Sequence, residues 1–187
     1  MSVQKRYYGV SDTPQSKLDE IFLVNQFIDA IEAGVWLYMS KESRGSKSLQ
    51  DAIDTALQDL GFDSNFRFQP VGTKHQANFE LDFKKTHDSS GKIVHVGGEL
   101  AFDNRQVIFT NVIKADLAMK RLRDASLDGR SLSIIVSFCS DSRGLASWDN
   151  SVATYEEYAN QLEWGLDGYL TGPLLLLGLT QPTGGVD

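Results

Sequence analysis

Hydrophobic residues recur every three or four positions in the first part of the chain. Over residues 16–38 this spacing is that of one helix face and predicts a single core helix, whose apolar positions are Leu18, Ile21, Phe22, Ile28, Ile31 and Val35, with a gap at Asn25. A second helix is predicted to begin at a capping box formed by Ser48 and Asp51 and to end at Gly61. The segment between the two helices is predicted to be a loop.

The pattern changes to a period of two after Pro70. Phe79, Leu81 and Phe83 alternate with polar residues, which predicts a strand with one buried face. A turn is predicted over residues 86–91 and a return strand over residues 92–102. The Gly97-Gly98 pair inside this return strand indicates either a bulge or a close backbone approach.

The second half of the chain alternates between helical and strand patterns. The β-branched residues of 107–113 favour a strand, but the helix formers of 114–124 favour a helix, which we expect from about residue 106. Residues 132–139 predict a buried strand, Thr154 and Glu157 a capping box that opens another helix, and the leucines after Pro173 a last buried strand. These elements predict a three-layer α/β/α fold with a mixed central sheet. We expect one domain over residues 1–179 and a disordered tail over 180–187.

Composition places the chain among ordinary globular proteins. Its 187 residues are 41% hydrophobic and 23% charged, and a chain of this length buries a core without disulfides. The single cysteine, Cys139, ends an apolar run and is expected to be a reduced core thiol. The apolar runs fall far short of the ~20 residues that span a bilayer, and the N-terminus lacks the apolar core of a signal peptide. We therefore expect a soluble, cytoplasmic protein with no membrane partner.

Charge is unevenly distributed along the chain. The net charge is −7, yet residues 66–123 contain ten Lys and Arg against six Asp and Glu, a balance of +4, and the remainder carries −11. A basic face on an acidic body would suit a protein that binds phosphate groups. Ordinary solvation of charged strand residues accounts for the distribution equally well.

Carboxylates are the main candidates for chemistry. The chain has no Gly-rich phosphate loop, no zinc-type Cys/His spacing and no nucleophile elbow, and its three histidines (His75, His87 and His95) are predicted to occupy solvated or turn positions. Asp82 and Glu99 lie on adjacent strands of the predicted hairpin. Two carboxylates and a backbone carbonyl are what Mg²⁺ needs while it keeps positions open for water and a phosphate oxygen. A polar residue on a strand is nevertheless more often solvated than catalytic.

Four segments carry a resemblance to a known family: LDF at 81–83, GELAFDNRQVIFTNVIKADL at 98–117, WDNSVATYEEYANQL at 148–162 and GPLLLLGL at 172–179. In this order they resemble the strand of the first metal carboxylate, the stretch around the catalytic Glu, the recognition loop with its following helix, and the next strand of type II restriction endonucleases. The resemblance is to enzymes of the BglII/BamHI kind in the PD-(D/E)xK nuclease superfamily. Its Glu-x-x-Phe-x-Asn core is present from Glu99 to Asn104.

The resemblance implies a homodimer that uses Mg²⁺ to cleave a short palindromic site in double-stranded DNA, with GATC as its expected centre. Asp82 and Glu99 would be catalytic and would bind the metal together with the Leu100 carbonyl. An Asn amide both donates to and accepts from one adenine edge, although an Asn at such a place is also a common turn residue. The residues implied to contact DNA are Asp103, Asn104, Arg105, Asp149, Asn150 and Ser151.

The chain departs from the family at one position of the implied catalytic site. Two residues after the catalytic Glu the family carries Glu, Gln or Lys, which positions or deprotonates the attacking water, whereas this chain has Ala101. The chain is then either an inactivated variant of a nuclease or a natural homologue that binds DNA without cutting it. A third alternative, a metal enzyme that acts on small molecules, predicts no DNA binding.

Overall fold

The structure is a computed structural model that describes residues 2–10, 13–40, 46–68, 79–102, 105–142 and 152–180. The described residues of the first half form three helices and four strands, which are β1 (Val3–Tyr8), α1 (Gln15–Ile21), α2 (Val24–Met39), α3 (Ser46–Asp59), β2 (Asp63–Phe68), β3 (Phe79–Ser89) and β4 (Lys92–Leu100). The second half contains α4 (Ile108–Asp124), β5 (Arg130–Phe138), α5 (Tyr155–Glu163) and β6 (Leu174–Leu179). Single helical turns precede α4 at Arg105–Val107 and follow α5 at Leu166–Tyr169.

The described strands form one mixed sheet in the order β1-β6-β5-β4-β3-β2. The β4–β5 and β5–β6 pairs are parallel, and the other pairs are antiparallel. Every residue of β6 and all but the first of β5 are buried, which explains their nearly continuous apolar sequences. The predicted mixed sheet is confirmed.

Helices cover both faces of this sheet. Residues of α1, α2 and α3 form one apolar cluster with the sheet, and residues of α4 and α5 form another. The predicted three-layer α/β/α fold is therefore confirmed. Among the described residues no single helix is long and apolar enough to cross a membrane, and α1 and α2, which satisfy that criterion only as a pair, are bent by 72°.

The single helix predicted over residues 16–38 is wrong, because the chain breaks into α1 and α2. Leu23, the N-cap of α2, adopts a left-handed conformation with φ 54° between the two helices. Phe22 and Val24 are both buried in the same apolar cluster. Side chains two positions apart on a straight helix point about 200° away from each other, so a straight helix would bury only one of Phe22 and Val24. The bend lets both side chains reach the core.

Two boundaries also differ from the sequence prediction. Ser48 lies inside α3, which begins at Ser46, so the predicted capping box at Ser48 is wrong. The end of α3 is as expected, because Gly61 has φ 78° and its N–H donates to Gln58. The turn predicted over residues 86–91 is shorter, since β3 continues to Ser89 and only Ser90 and Gly91 turn, both with positive φ.

Gly97 and Gly98 allow β4 to lie close to its neighbours. The strand pairing is continuous through Phe83↔Gly98 and Lys84↔Gly97, so the close approach rather than the bulge is confirmed. A Cβ atom on Gly98 would lie 1.7 Å from the carbonyl oxygen of Ile134 on β5. The two glycines therefore fix the position of the residues that follow them, Glu99 and Leu100.

Candidate active site

Asp82 and Glu99 lie on paired strands, at the positions next to the Phe83↔Gly98 pair. The Oδ2 atom of Asp82 accepts a hydrogen bond from the backbone N–H of Leu100 at 2.7 Å. The Gln50 side chain, on α3, donates to the other carboxylate oxygen at 3.4 Å. The structure thus brings the carboxylate of Asp82 to the peptide that joins Glu99 and Leu100.

Glu99 is buried and forms an ion pair with a lysine that the sequence analysis did not select. Its Oε2 atom lies 2.6 Å from Nζ of Lys114, on α4, and the two side chains are 5% and 18% exposed. A buried carboxylate is costly unless a cation or hydrogen bonds offset its charge. Lys114 supplies that cation from the helix that covers this face of β4.

Ala101 continues the pairing of β4 with β5 by one residue. Its backbone N–H donates to the Val136 carbonyl at 2.7 Å, and its side chain is 1% exposed. It belongs to the same apolar cluster as Ile108 and Val112 of α4. A methyl group in this environment neither holds a water molecule nor accepts a proton.

A further carboxylate, Asp54 on α3, was missed from the sequence. Burial, and then the nearby charges of Asp82 and Asp51, raise the pKa of Asp54 from 3.8 to about 6. Its Oδ1 atom is buried without a hydrogen-bond partner. Gln50 and Asp54 are four residues apart and share a face of α3, but no local signal in the sequence relates that face to Asp82.

The predicted metal ligands are all oxygen atoms, which Mg²⁺ prefers. Asp82 is contacted by Gln50 of α3, whereas Glu99 is contacted by Lys114 of α4, on the opposite face of the sheet. The described part of the chain contains no group of three or more His, Cys, Asp or Glu side chains arranged to hold a metal ion. The predicted set of two carboxylates and the Leu100 carbonyl fits the cation by donor type, although no acidic cluster is preformed among the residues that the structure describes.

Most of the predicted DNA-contacting residues, namely Asp103, Asn104, Asp149, Asn150 and Ser151, lie outside the described residues. Arg105 is described, and its Nε atom lies 2.6 Å from Oε1 of Glu157, near the beginning of α5. Glu157 also completes the predicted capping box with Thr154, which is confirmed. The ion pair therefore joins the turn that follows residue 104 to the helix that follows residue 151.

The histidine prediction is wrong at the two described positions. His95 is buried, and its ring nitrogens lie 2.9 Å from the hydroxyl oxygens of Thr86 and Ser126. Burial lowers the pKa of His95. His87 is partly buried, with Nε2 3.0 Å from the carbonyl of Ile21. His87 thus contacts the end of α1, His95 contacts the segment that follows α4, and His75 lies outside the described residues.

Cys139 is a buried free thiol at the end of β5, as expected of a core residue. Burial is the largest of the effects that raise the pKa of its thiol to about 12. A thiol with such a pKa is a poor nucleophile at neutral pH.

The mixed sheet with a helical layer on each face is a restriction-endonuclease-like fold. The structure is similar to the crystal structure of restriction endonuclease BglII complexed with a DNA 16-mer, with a TM-score of 0.63 and 19% identity over 99% of this chain and 79% of that one. It is also similar to free BglII, with a TM-score of 0.52 and 15% identity over 99% and 82% of the two chains. No family model and no curated protein matches the chain by sequence. The expected resemblance is therefore confirmed for the fold.

Proposed function

We propose that this chain is a type II restriction endonuclease that uses Mg²⁺ to hydrolyse phosphodiester bonds at a short palindromic site in double-stranded DNA. The observation that supports this most is the position of Asp82 against the Leu100 peptide, beside Glu99, in a fold like that of BglII. The DNA 16-mer in one BglII structure supports DNA as the substrate. A GATC centre remains an expectation from Asn104, Asn150 and Ser151.

The reaction is a hydrolysis. The oxygen of a water molecule bonds to phosphorus and the bond from phosphorus to the leaving sugar oxygen breaks, while one proton passes to solvent and the leaving oxygen gains one. Mg²⁺ bound by Asp82, Glu99 and the Leu100 carbonyl would offset the charge on the phosphate. Within the chain, the Leu100 N–H donates to Asp82 and the Lys114 ammonium pairs with Glu99.

We also propose that the chain acts as a homodimer in which each copy cuts one strand. Phe109 on α4 and Trp164 and Tyr169 after α5 are exposed and line one groove. Exposed aromatic residues that cluster in this way are typical of protein interfaces. Sedimentation of Trp164→Lys should show a shift toward the monomer, whereas Leu127→Lys, at a similarly exposed position, should not change the mass. A monomeric unaltered chain at high concentration would contradict the dimer.

A second candidate is a protein of the same fold that binds DNA without cutting it. The methyl side chain of Ala101 in its apolar environment favours this alternative, because it can neither position nor deprotonate a water molecule where the family has Glu, Gln or Lys. Digestion by Ala101→Glu and Ala101→Gln beside the unaltered chain separates the cases. Fragments from the unaltered chain would support the endonuclease, and fragments only from an altered chain would mean an inactivated nuclease. Binding without fragments from all three would support the second candidate.

DNA binding itself separates both candidates from a metal enzyme that acts on small molecules. In a gel-shift experiment on mixed duplexes in Ca²⁺, we expect retardation that weakens steeply as salt rises, because phosphate contacts release counterions. Absence of any shift at low salt would contradict both DNA-binding proposals.

A further inference from the structure

Two features lie on the face of β4 that α4 covers, namely the Lys114–Glu99 ion pair and the side chain of Ala101. Glu99 and Ala101 are two residues apart, so their side chains point to the same side of the sheet. That side is covered by α4, which contributes Ile108 and Val112 to the cluster around Ala101 and Lys114 to the ion pair with Glu99. A cation from the helix thus reaches the face from which the polar side chain of position 101 is missing.

We propose that Lys114 replaces the missing side chain of position 101 in the endonuclease reaction, an inference that rests on the proposed function. Its ammonium donates hydrogen bonds to an oxygen of the phosphate under attack and offsets the charge that builds there. In the family, the side chain at the position of Ala101 comes from the strand. The ammonium of Lys114 comes instead from α4, the helix that packs on that strand. Lys114 is therefore a third member of the site, on the same face of the sheet as Glu99.

Burial supports a role beyond stabilising the fold. Both partners of the Lys114–Glu99 pair are largely buried, with side chains 18% and 5% exposed. The other described ion pairs each include at least one side chain that is 25% or more exposed. Buried ion pairs often stabilise a protein no more than apolar residues of the same size, so their presence is weak evidence for a stability role. A charge held in a dry position is, by contrast, suited to stabilising a developing negative charge.

The chemistry of the ammonium group determines what Lys114 can do at this place. An ammonium group carries three hydrogen-bond donors and no acceptor, so Lys114 orients and neutralises the phosphate rather than taking the proton of the attacking water. That proton passes to solvent, and the leaving oxygen takes one up. Lys114 thus supplies charge and hydrogen bonds while the atoms of the hydrolysis balance without it.

Single-turnover cleavage by Lys114→Met tests this role. We expect cleavage in Mg²⁺ to slow at least about 100-fold, the cost of removing one preorganised donor, while duplex affinity in Ca²⁺ and the melting temperature show that the variant still folds and binds. Lys120→Met is the matched control, since Lys120 is on the same helix and its partner is the exposed Asp124. It should cleave at the unaltered rate.

A relocated lysine distinguishes this role from structural support. Ala101→Lys added to Lys114→Met should recover at least about tenfold of the lost rate, because position 101 faces the same side of β4. If Lys114→Met fails to fold, Lys114→Gln keeps a donor for Glu99 without the charge and should show the same loss.

Each remaining outcome counts against the proposal in a distinct way. Cleavage by Lys114→Met at the unaltered rate, with Glu99→Gln inactive, would overturn the role of Lys114 and leave the endonuclease standing. Loss of cleavage that Ala101→Lys does not restore would make Lys114 a structural partner of Glu99. An unaltered chain that binds DNA but does not cut would overturn the proposal together with the proposed function.

Discussion

The carboxylate of Asp82 accepts a 2.7 Å hydrogen bond from the backbone N–H of Leu100. This bond joins two strands that are adjacent in the sheet and meets the peptide that immediately follows Glu99. The same carboxylate lies near Asp54 of α3, whose pKa it helps to raise. One side chain therefore connects the end of β4 with the helical layer on one face of the sheet.

Asp54→Asn should stabilise the protein at neutral pH. The pKa of Asp54 is about 6 in the folded chain and 3.8 for an ordinary Asp, so the folded state binds this proton more tightly. The stability that this proton contributes is complete below about pH 4 and lost as pH rises through about 6. After allowance for solvent screening, the variant should gain about 1–2 kcal/mol in free energy of unfolding near pH 7 and nothing near pH 4, measured by urea unfolding.

Asp29→Asn provides the control for this experiment, because it removes the same charge from an exposed position on α2. Its effect should be small and alike at the two pH values. If Asp54→Asn raises the free energy of unfolding as much at pH 4 as at pH 7, the raised pKa of Asp54 beside Asp82 would be contradicted.

Gly98→Ala should destabilise the fold by about 3 kcal/mol. The added Cβ would lie 1.7 Å from the Ile134 carbonyl, so β4 and β5 must separate where the candidate site begins. Gly168→Ala, where nothing lies within 4 Å of the added atom, should change the free energy of unfolding by less than about 0.5 kcal/mol. Equal melting temperatures for the two variants would argue against the tight approach at Gly98.

Asp116→Ala should cost about 2 kcal/mol, because the buried carboxylate of Asp116 anchors the segment before β6. It accepts hydrogen bonds from the backbone N–H of Thr171 at 3.1 Å and from its hydroxyl at 2.9 Å. A double-mutant cycle with Thr171→Val, read by urea unfolding, should give a coupling energy of about 1 kcal/mol. Simple additivity would show that the hydroxyl contact contributes nothing.

Arg105→Ala should weaken duplex binding if Arg105 contacts a phosphate. The salt slope, which is the slope of log affinity against log salt concentration, should then fall by about one. Stability should fall by less than about 1 kcal/mol, because the ion pair with Glu157 is partly exposed. Arg6→Ala removes the same charge from edge strand β1, where Arg6 pairs with Glu163, and should leave the slope unchanged. Identical salt slopes for the two variants would remove Arg105 from the DNA-contacting set.

Much of the fold could be predicted because its signals are local. The capping box at the start of α5 is an example, since Thr154 and Glu157 bond to each other's backbone within one turn. The leucines of β6 are another, because a strand buried on both faces reads as a continuous apolar run. Such signals need no knowledge of the rest of the chain.

Other parts depend on contacts between distant segments. Strand β1 exists through its pairing with β6, from Val3↔Leu179 to Tyr8↔Leu174, and its exposed polar residues carry no clear strand pattern. The bend at Leu23 likewise follows from which side chains the core must bury. Neither feature has a local signal that outweighs the helical or polar pattern around it.

The residues of the candidate site also divide into those with a local signal in the sequence and those that depend on contacts between distant segments. Asp82 and Glu99 could be chosen because a hairpin with one polar face places them on adjacent strands. Lys114 and Asp54 could not, since their relation to these carboxylates depends on how α4 and α3 cross the sheet. The strand residues of the site therefore carry a local signal, and those that come from the helices do not.

Cleavage of unmethylated phage DNA tests the central claim most directly. With Mg²⁺ the unaltered chain should produce discrete fragments, and it should produce none in EDTA. Glu99→Gln, which removes only the charge of the carboxylate, should bind duplex in Ca²⁺ and leave the phage DNA intact. Uncut DNA in every reaction of the unaltered chain, or fragments that Glu99→Gln produces equally well, would contradict a magnesium-dependent endonuclease at this site.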